Sequence, residues 1–150
     1  MAAFAQSTAQ TAAASFTEMA LVSTATVRAM IEHVHLSSVT APANQSTHHH
    51  IARATTAGTL TAVTPEPNDG SASASALTVG VNASAEPTYG TAPAGVLLNI
   101  ALNQQATYQW WANPGFQLYA KFATTAGINL RCIAVSTAGI GMQSTLMWKE

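Results

Sequence analysis

Charge is what this sequence has least of. Asp, Glu, Lys and Arg make up 7% of its 150 residues, whereas an ordinary globular domain keeps about a quarter of its residues charged, mostly to wet its outside. The formal net charge is -1, and the five basic residues Arg28, Arg53, Lys121, Arg131 and Lys149 are scattered along the chain. With no basic cluster, nucleic acid is not an expected partner. Cysteine is nearly absent as well. Cys132 alone cannot close an internal disulfide, and its place in the apolar stretch INLRCIAVS points to a buried, inert thiol. No window reaches the ~20 apolar residues needed to span a bilayer, and the N-terminal MAAFAQSTAQTAAASF has neither a positive n-region nor a long apolar core. A membrane partner and secretion are not expected. Also missing are a nucleophile elbow, a Walker loop, a dinucleotide fingerprint, zinc-finger spacing and a calcium loop. The carboxylates Glu18, Glu32, Glu66, Asp69, Glu86 and Glu150 stand too far apart in sequence to nominate an acid and base pair. No enzyme and no cofactor are expected on these grounds.

What fills the sequence instead is Ala, Ser and Thr, roughly two residues in five. An exterior of such residues costs little to desolvate, because it presents neither strongly hydrated charges nor long flexible side chains. It suits permanent contact, so a packing or coat component is the starting expectation. The length fits one domain: residues 1–15 as an N-terminal arm or first strand, and residues 16–150 as a single β-sandwich.

Period-two alternation with frequent turn residues dominates. It predicts about eight strands: Thr26–Leu36, Thr47–Thr56, Ala76–Val81, Val96–Leu102, Ala106–Ala112, Phe116–Phe122, Ile128–Ser136 and Ser144–Lys149. Between them lie Pro65, Pro67, Asn68-Asp69-Gly70, Pro87, Gly90 and Asn113-Pro114-Gly115. The last group is expected to be a tight hairpin turn joining QATYQWWA to FQLYAKF. The stretch from Gly58 to Ser75 is expected to be an irregular surface excursion. Short strands of uneven spacing suggest two packed antiparallel sheets, an all-β, jelly-roll-like sandwich with an extended N-terminal arm.

Histidine is the one reactive type that clusters. If Thr26–Leu36 and Thr47–Thr56 close as one hairpin around Ala41 and Pro42, His33 falls opposite His50 and His35 opposite His48, all on one face. Three converging imidazoles bind zinc with an open fourth position for water, which would make a small metal-dependent enzyme. Against this, a one-residue slip breaks the pairing, and Glu32, the nearest carboxylate, points to the other face. A polar histidine patch is the alternative, so no metal is assigned and His33, His35, His48 and His50 stand as weak candidates. In ATYQWWANPGFQLYAKF, Tyr108 and Trp110 share a face and Trp111 takes the other. These rings are open to three uses: core packing, a subunit interface or a glycan platform.

The segments VRAMIEHVHLSS, HIARATTAGTLTAVTPEPND, AEPTYGTAPAGVLLNIALNQQATYQWWANPG and the closing STLMWKE, in that order, give the chain from Thr26 onward an organisation that resembles small structural proteins of tailed bacteriophages, in particular jelly-roll head decoration or cement proteins. The triple histidine and the alanine-rich start lie outside the resemblance. It implies a virion protein on the capsid surface, without catalytic residues. It further implies a homo-oligomer, a trimer by preference, that binds the major capsid protein and bridges neighbouring subunits. On that reading the interface residues are Ala2, Phe4, Ala12, Trp110 and Trp111, and deleting Met1–Ser15 should leave a folded domain with weakened capsid binding. A phage tail or fibre component with a glycan-binding surface is the alternative.

Overall fold

Along the last strand of the chain, Met142, Ser144, Leu146 and Trp148 are buried while Gln143 between them is exposed. This is the two-residue repeat that a pleated strand imposes when one of its faces lies against a core. The computed structural model describes residues 1–11, 15–40, 42–90, 95–122, 125–135 and 140–150. Among these, the elements are β1 (Ala3–Thr11), β2 (Phe16–Val22), β3 (Met30–Ser38), β4 (Ser46–Arg53), β5 (Thr59–Val63), β6 (Glu66–Pro67), β7 (Thr78–Ala85), β8 (Val96–Asn103), β9 (Tyr108–Trp111), β10 (Leu118–Tyr119), β11 (Gly127–Val135) and β12 (Gly141–Lys149). All pairings are antiparallel, and they make two sheets of six strands. One runs β10-β3-β12-β1-β6 with β9 also on β3, and the other runs β5-β7-β2-β11-β4-β8. The protein is an all-β sandwich.

The connections follow one rule. Strands β1 to β4 alternate between the two sheets, and the returning strands β8, β9, β11 and β12 lie antiparallel against them in the pairs β4·β8, β3·β9, β2·β11 and β1·β12. The two halves of the chain thus form one long ribbon folded across both sheets, with β5 to β7 inserted between β4 and β8. Between the sheets Phe4, Met19, Leu21, Ile31, Ile51, Ile100, Ile128, Leu130, Leu146 and Trp148 fill the core.

Each of the eight expected strands has a counterpart, with ends shifted by a few residues, and Ser136 lies outside the described residues. The total among the described residues is nevertheless twelve. Segment β2 escapes an alternation search because a β-bulge breaks its period: Leu130 pairs with Met19 and Arg131 with Thr17, leaving Glu18 as the extra residue. Segments β5 and β6 occupy the stretch expected to be an irregular excursion. Residue Pro67 is tolerated because β6 is a two-residue edge strand, pairing only Phe4 with Pro67 and Ala5 with Glu66.

The N-terminal residues are a strand rather than a free arm. Strand β1 pairs with β12 over nine residues without a break, and Phe4, 1% exposed, stacks on Trp148 with ring centroids 5.9 Å apart. Deleting Met1–Ser15 would therefore remove part of the core, which corrects the expectation of an intact domain. Nor does Asn113-Pro114-Gly115 close a hairpin. Strands β9 and β10 run in the same direction along one edge of β3, pairing Trp111 with His33 and Leu118 with Ile31. The turn is real: the Phe116 amide donates to the Asn113 carbonyl at 2.9 Å, and Gly115 has φ of 86°. Proline then glycine with positive φ is the pairing a type II turn requires, and here the turn loops out of an interrupted edge strand.

Candidate functional site

The four candidate histidines do not meet. Strands β3 and β4 are consecutive but belong to different sheets, so the expected hairpin does not exist; its apex residue Ala41 lies outside the described residues. Strand β3 turns Ile31, Val34 and Leu36 into the core, after a bulge at Glu32, and leaves His33 and His35 on the other face. Strand β4 buries Thr47, His49 and Ile51 and turns His48 and His50 outward. The two pairs sit on the outer faces of opposite sheets, which removes the zinc site proposed for them. His33 stacks face to face on Trp111 with ring centroids 3.8 Å apart, and His35 is 6.4 Å away. Burial first, and His35 second, hold the His33 pKa below its ordinary value.

Another histidine does enter a site. His49 is fully buried between the sheets, with Nδ1 3.0 Å from Glu18 Oε1, itself fully buried. The two atoms touch without the alignment of a hydrogen bond. The other Glu18 oxygen, Oε2, accepts a short hydrogen bond from the Ser144 hydroxyl of the facing sheet. Cys132 is buried directly across from His49 on β11, and single ligating atoms of Glu18, His49 and Cys132 lie within 4.8 Å of one another. The bulge at Glu18 creates this arrangement. Strict alternation would put Thr17 inward and Glu18 outward, whereas the inserted residue lets Glu18 and Met19 both face the interior. A second bulge, between Cys132 and Ala134, adjusts β11 against β4. In sequence the signal was faint, since Glu18 was one isolated carboxylate and His49 the middle member of a triplet.

On the outer face of the same sheet, Glu86 accepts from the Thr17 amide at 2.8 Å and the Thr17 hydroxyl at 2.6 Å. The Tyr89 hydroxyl bonds Thr17 at 2.7 Å and accepts from Asn129 at 3.1 Å, and the Arg131 guanidinium lies 4.6 Å over the Tyr89 ring. Burial raises the Tyr89 pKa above its ordinary value. A cleft of about 180 Å³ opens beside this network between His50, Tyr89, Val96 and Arg131. Burial also lowers the His50 pKa, with Arg131, His48 and His49 adding to it against an Asn99 hydrogen bond. The network pins β2, β11 and the segment after β7 together.

The expected interface residues separate. Phe4 belongs to the core, Ala2 and Trp110 pack partly buried against it, and Ala12 lies outside the described residues. Trp111 is 60% exposed, and Phe116 and Phe122, before and after β10 in the chain, are also exposed. The second sheet ends on β8, VLLNIALN, eight residues without charge or proline. Most charges elsewhere are engaged within the chain. Arg28 lies 4.6 Å over the rings of Tyr119 and Phe122, Arg53 donates to the Tyr119 carbonyl, and Lys149 pairs with Glu32 at 2.8 Å. No helix among the described residues is long and apolar enough to cross a membrane. No protein-family model matches the chain, and neither a curated protein nor a solved structure matches it.

Proposed function

We propose that this is a non-enzymatic structural virion protein, a jelly-roll decoration or cement protein on the capsid surface of a tailed bacteriophage. It assembles as a homo-oligomer, a trimer by preference, and bridges neighbouring major capsid subunits. The observation that carries the reading is the outer edge of β8, on which no strand pairs among the described residues. Soluble monomers blunt such edges with lysine, proline, bulges or a covering segment, because a row of unpaired backbone groups recruits another strand. Edge β8 has neither charge nor proline along its eight residues, and its one bulge, at Leu97 opposite Ile51 and Ala52, leaves the regular run from Leu98 to Asn103 beyond it. Strand addition from a neighbouring subunit would satisfy its backbone at little desolvation cost.

The sheet order supports the jelly-roll assignment. Taking β1, β2, β3, β4, β8, β9, β11 and β12 as the eight strands, first pairs with last, second with seventh, third with sixth and fourth with fifth, across two sheets. Electron microscopy of the particle tests the role. It should place the sandwich over junctions between capsid subunits, and bare heads with the chain elsewhere would refute it.

One observation favours a second reading. Trp111, Phe116 and Phe122 are large exposed rings, and exposed rings suit stacking on sugars, as in a tail or fibre component that touches a host glycan. Glycan-array binding abolished by Trp111→Ala would select it over the capsid role.

A further inference from the structure

We propose that Glu18, His49 and Cys132 form a structural zinc(II) site inside the sandwich, independent of the assembly role above. The three residues come from adjacent strands, β2, β11 and β4, with Cys132 on the strand between the other two. Their ligating atoms already converge within 4.8 Å, near the ~3.5 Å that separates ligand atoms around a tetrahedral zinc with bonds of about 2.0–2.3 Å. Thiolate, imidazole and carboxylate together are a donor set suited to this borderline-soft cation.

Two features point to a ligand rather than to a closed polar network. His49 is fully buried and neither ring nitrogen is hydrogen bonded, and Glu18 Oε1 is likewise without a hydrogen bond although the two residues touch. Atoms 3.0 Å apart and not aimed at one another are placed as two ligands of a common centre are. The Ser144 hydroxyl meanwhile holds the second carboxylate oxygen from the opposite sheet, as outer-shell partners orient metal-bound carboxylates. Zinc(II) bound by one carboxylate and one thiolate forms a centre of zero net charge, which suits a buried position. Binding releases the Cys132 thiol proton to solvent. Because the site is sealed between the sheets, the metal enters as the chain folds, and its binding energy becomes folding energy.

The full chain, unfolded in denaturant with chelator, desalted and refolded with one equivalent of cobalt(II) or zinc(II), provides the test. Cobalt should be retained at one per chain with a thiolate-to-cobalt charge-transfer band. Cys132 is the only cysteine in the sequence, so the band has no other source. Zinc should raise Tm on the order of 5–10 °C over the chelator-refolded chain when present at about a hundredfold its Kd. Cys132→Ser should lose the band, and the surface double variant His48→Gln/His50→Gln should keep it. Should Cys132→Ser fail to fold, the wild-type spectrum and Tm decide. Metal lost on desalting, cobalt retained without the band, or a band that survives Cys132→Ser would each overturn the site.

Discussion

Replacing Phe4 with alanine tests whether the first eleven residues belong to the fold. The ring is 1% exposed and stacks on Trp148 at 5.9 Å with planes 23° apart, so truncation deletes one half of the largest aromatic pair in the core. Phe to Ala at such a site costs about 3–5 kcal/mol, out of a total stability of about 5–15 kcal/mol. With a urea m-value of about 2 kcal/mol/M for a chain of this size, the midpoint should fall by about 1.5–2.5 M at unchanged m. Tryptophan fluorescence follows the transition directly, since Trp148 is the ring left without its neighbour. Removing residues 1–11 should go further and abolish the cooperative transition, because β12 loses a partner along nine residues. A midpoint within about 0.5 M of wild type would refute the placement of β1 and restore the free-arm reading.

Other perturbations separate the buried polar cluster from the outer network and the backbone. Glu18→Ala, which leaves the buried Ser144 hydroxyl without its acceptor and opens a cavity beside His49, should cost about 2–5 kcal/mol, against about 1–2 kcal/mol for Glu86→Ala on the more exposed face; urea melts giving a larger loss for Glu86→Ala would contradict the assignment. Burial lowers the pKa of His33 and of His50, so the folded chain binds fewer protons than the unfolded one. Stability should be complete above about pH 7 and decline as pH falls through the ordinary histidine value toward the depressed ones. A Tm at pH 5 equal to or above that at pH 7 would count against this, and His33→Gln should flatten the decline. Gly127→Ala should lose about 1–3 kcal/mol, since its Cβ would come within 2.5 Å of the Leu21 carbonyl oxygen; an unchanged thermal melt would mean the strands separate more easily than drawn.

Alternation carries information about faces and none about partners, and the outcome divides along that line. The faces of β12 and the opposed directions of Trp110 and Trp111 were legible from period two, whereas in β3 the bulge at Glu32 moves Ile31 from the face of His33 and His35 to the core face of Val34 and Leu36. The pairing of β3 with β4 was not, because the connection between them crosses from one sheet to the other and nothing in its composition distinguishes that from a hairpin. The same limit misplaced Asn113-Pro114-Gly115: the residues specify the turn, but whether a turn reverses a strand or interrupts it depends on β3 beside it. Strand β2 and the interior cluster were hidden together, since the bulge that turns Glu18 inward also spoils the alternation that would reveal the strand. Strand β1 was masked by its alanine, serine and threonine, which favour no single secondary structure strongly. Phe4 was the one residue in it that marked a buried face.

The central claim, that the uncharged exterior and the bare edge of β8 exist to be covered by neighbouring subunits, is tested most directly by co-sedimentation of the purified chain with assembled heads, comparing wild type with Ala101→Lys. Ala101 is exposed on β8 and pairs with His48, so a lysine there charges the edge without entering the core. The wild-type chain should saturate the heads at a fixed ratio to the capsid subunit, and the variant should fold normally but bind at least about tenfold more weakly, the ~1.4 kcal/mol expected for spoiling one strand contact. A wild-type chain that stays behind as a monomer, or a variant that saturates the heads identically, would contradict the claim.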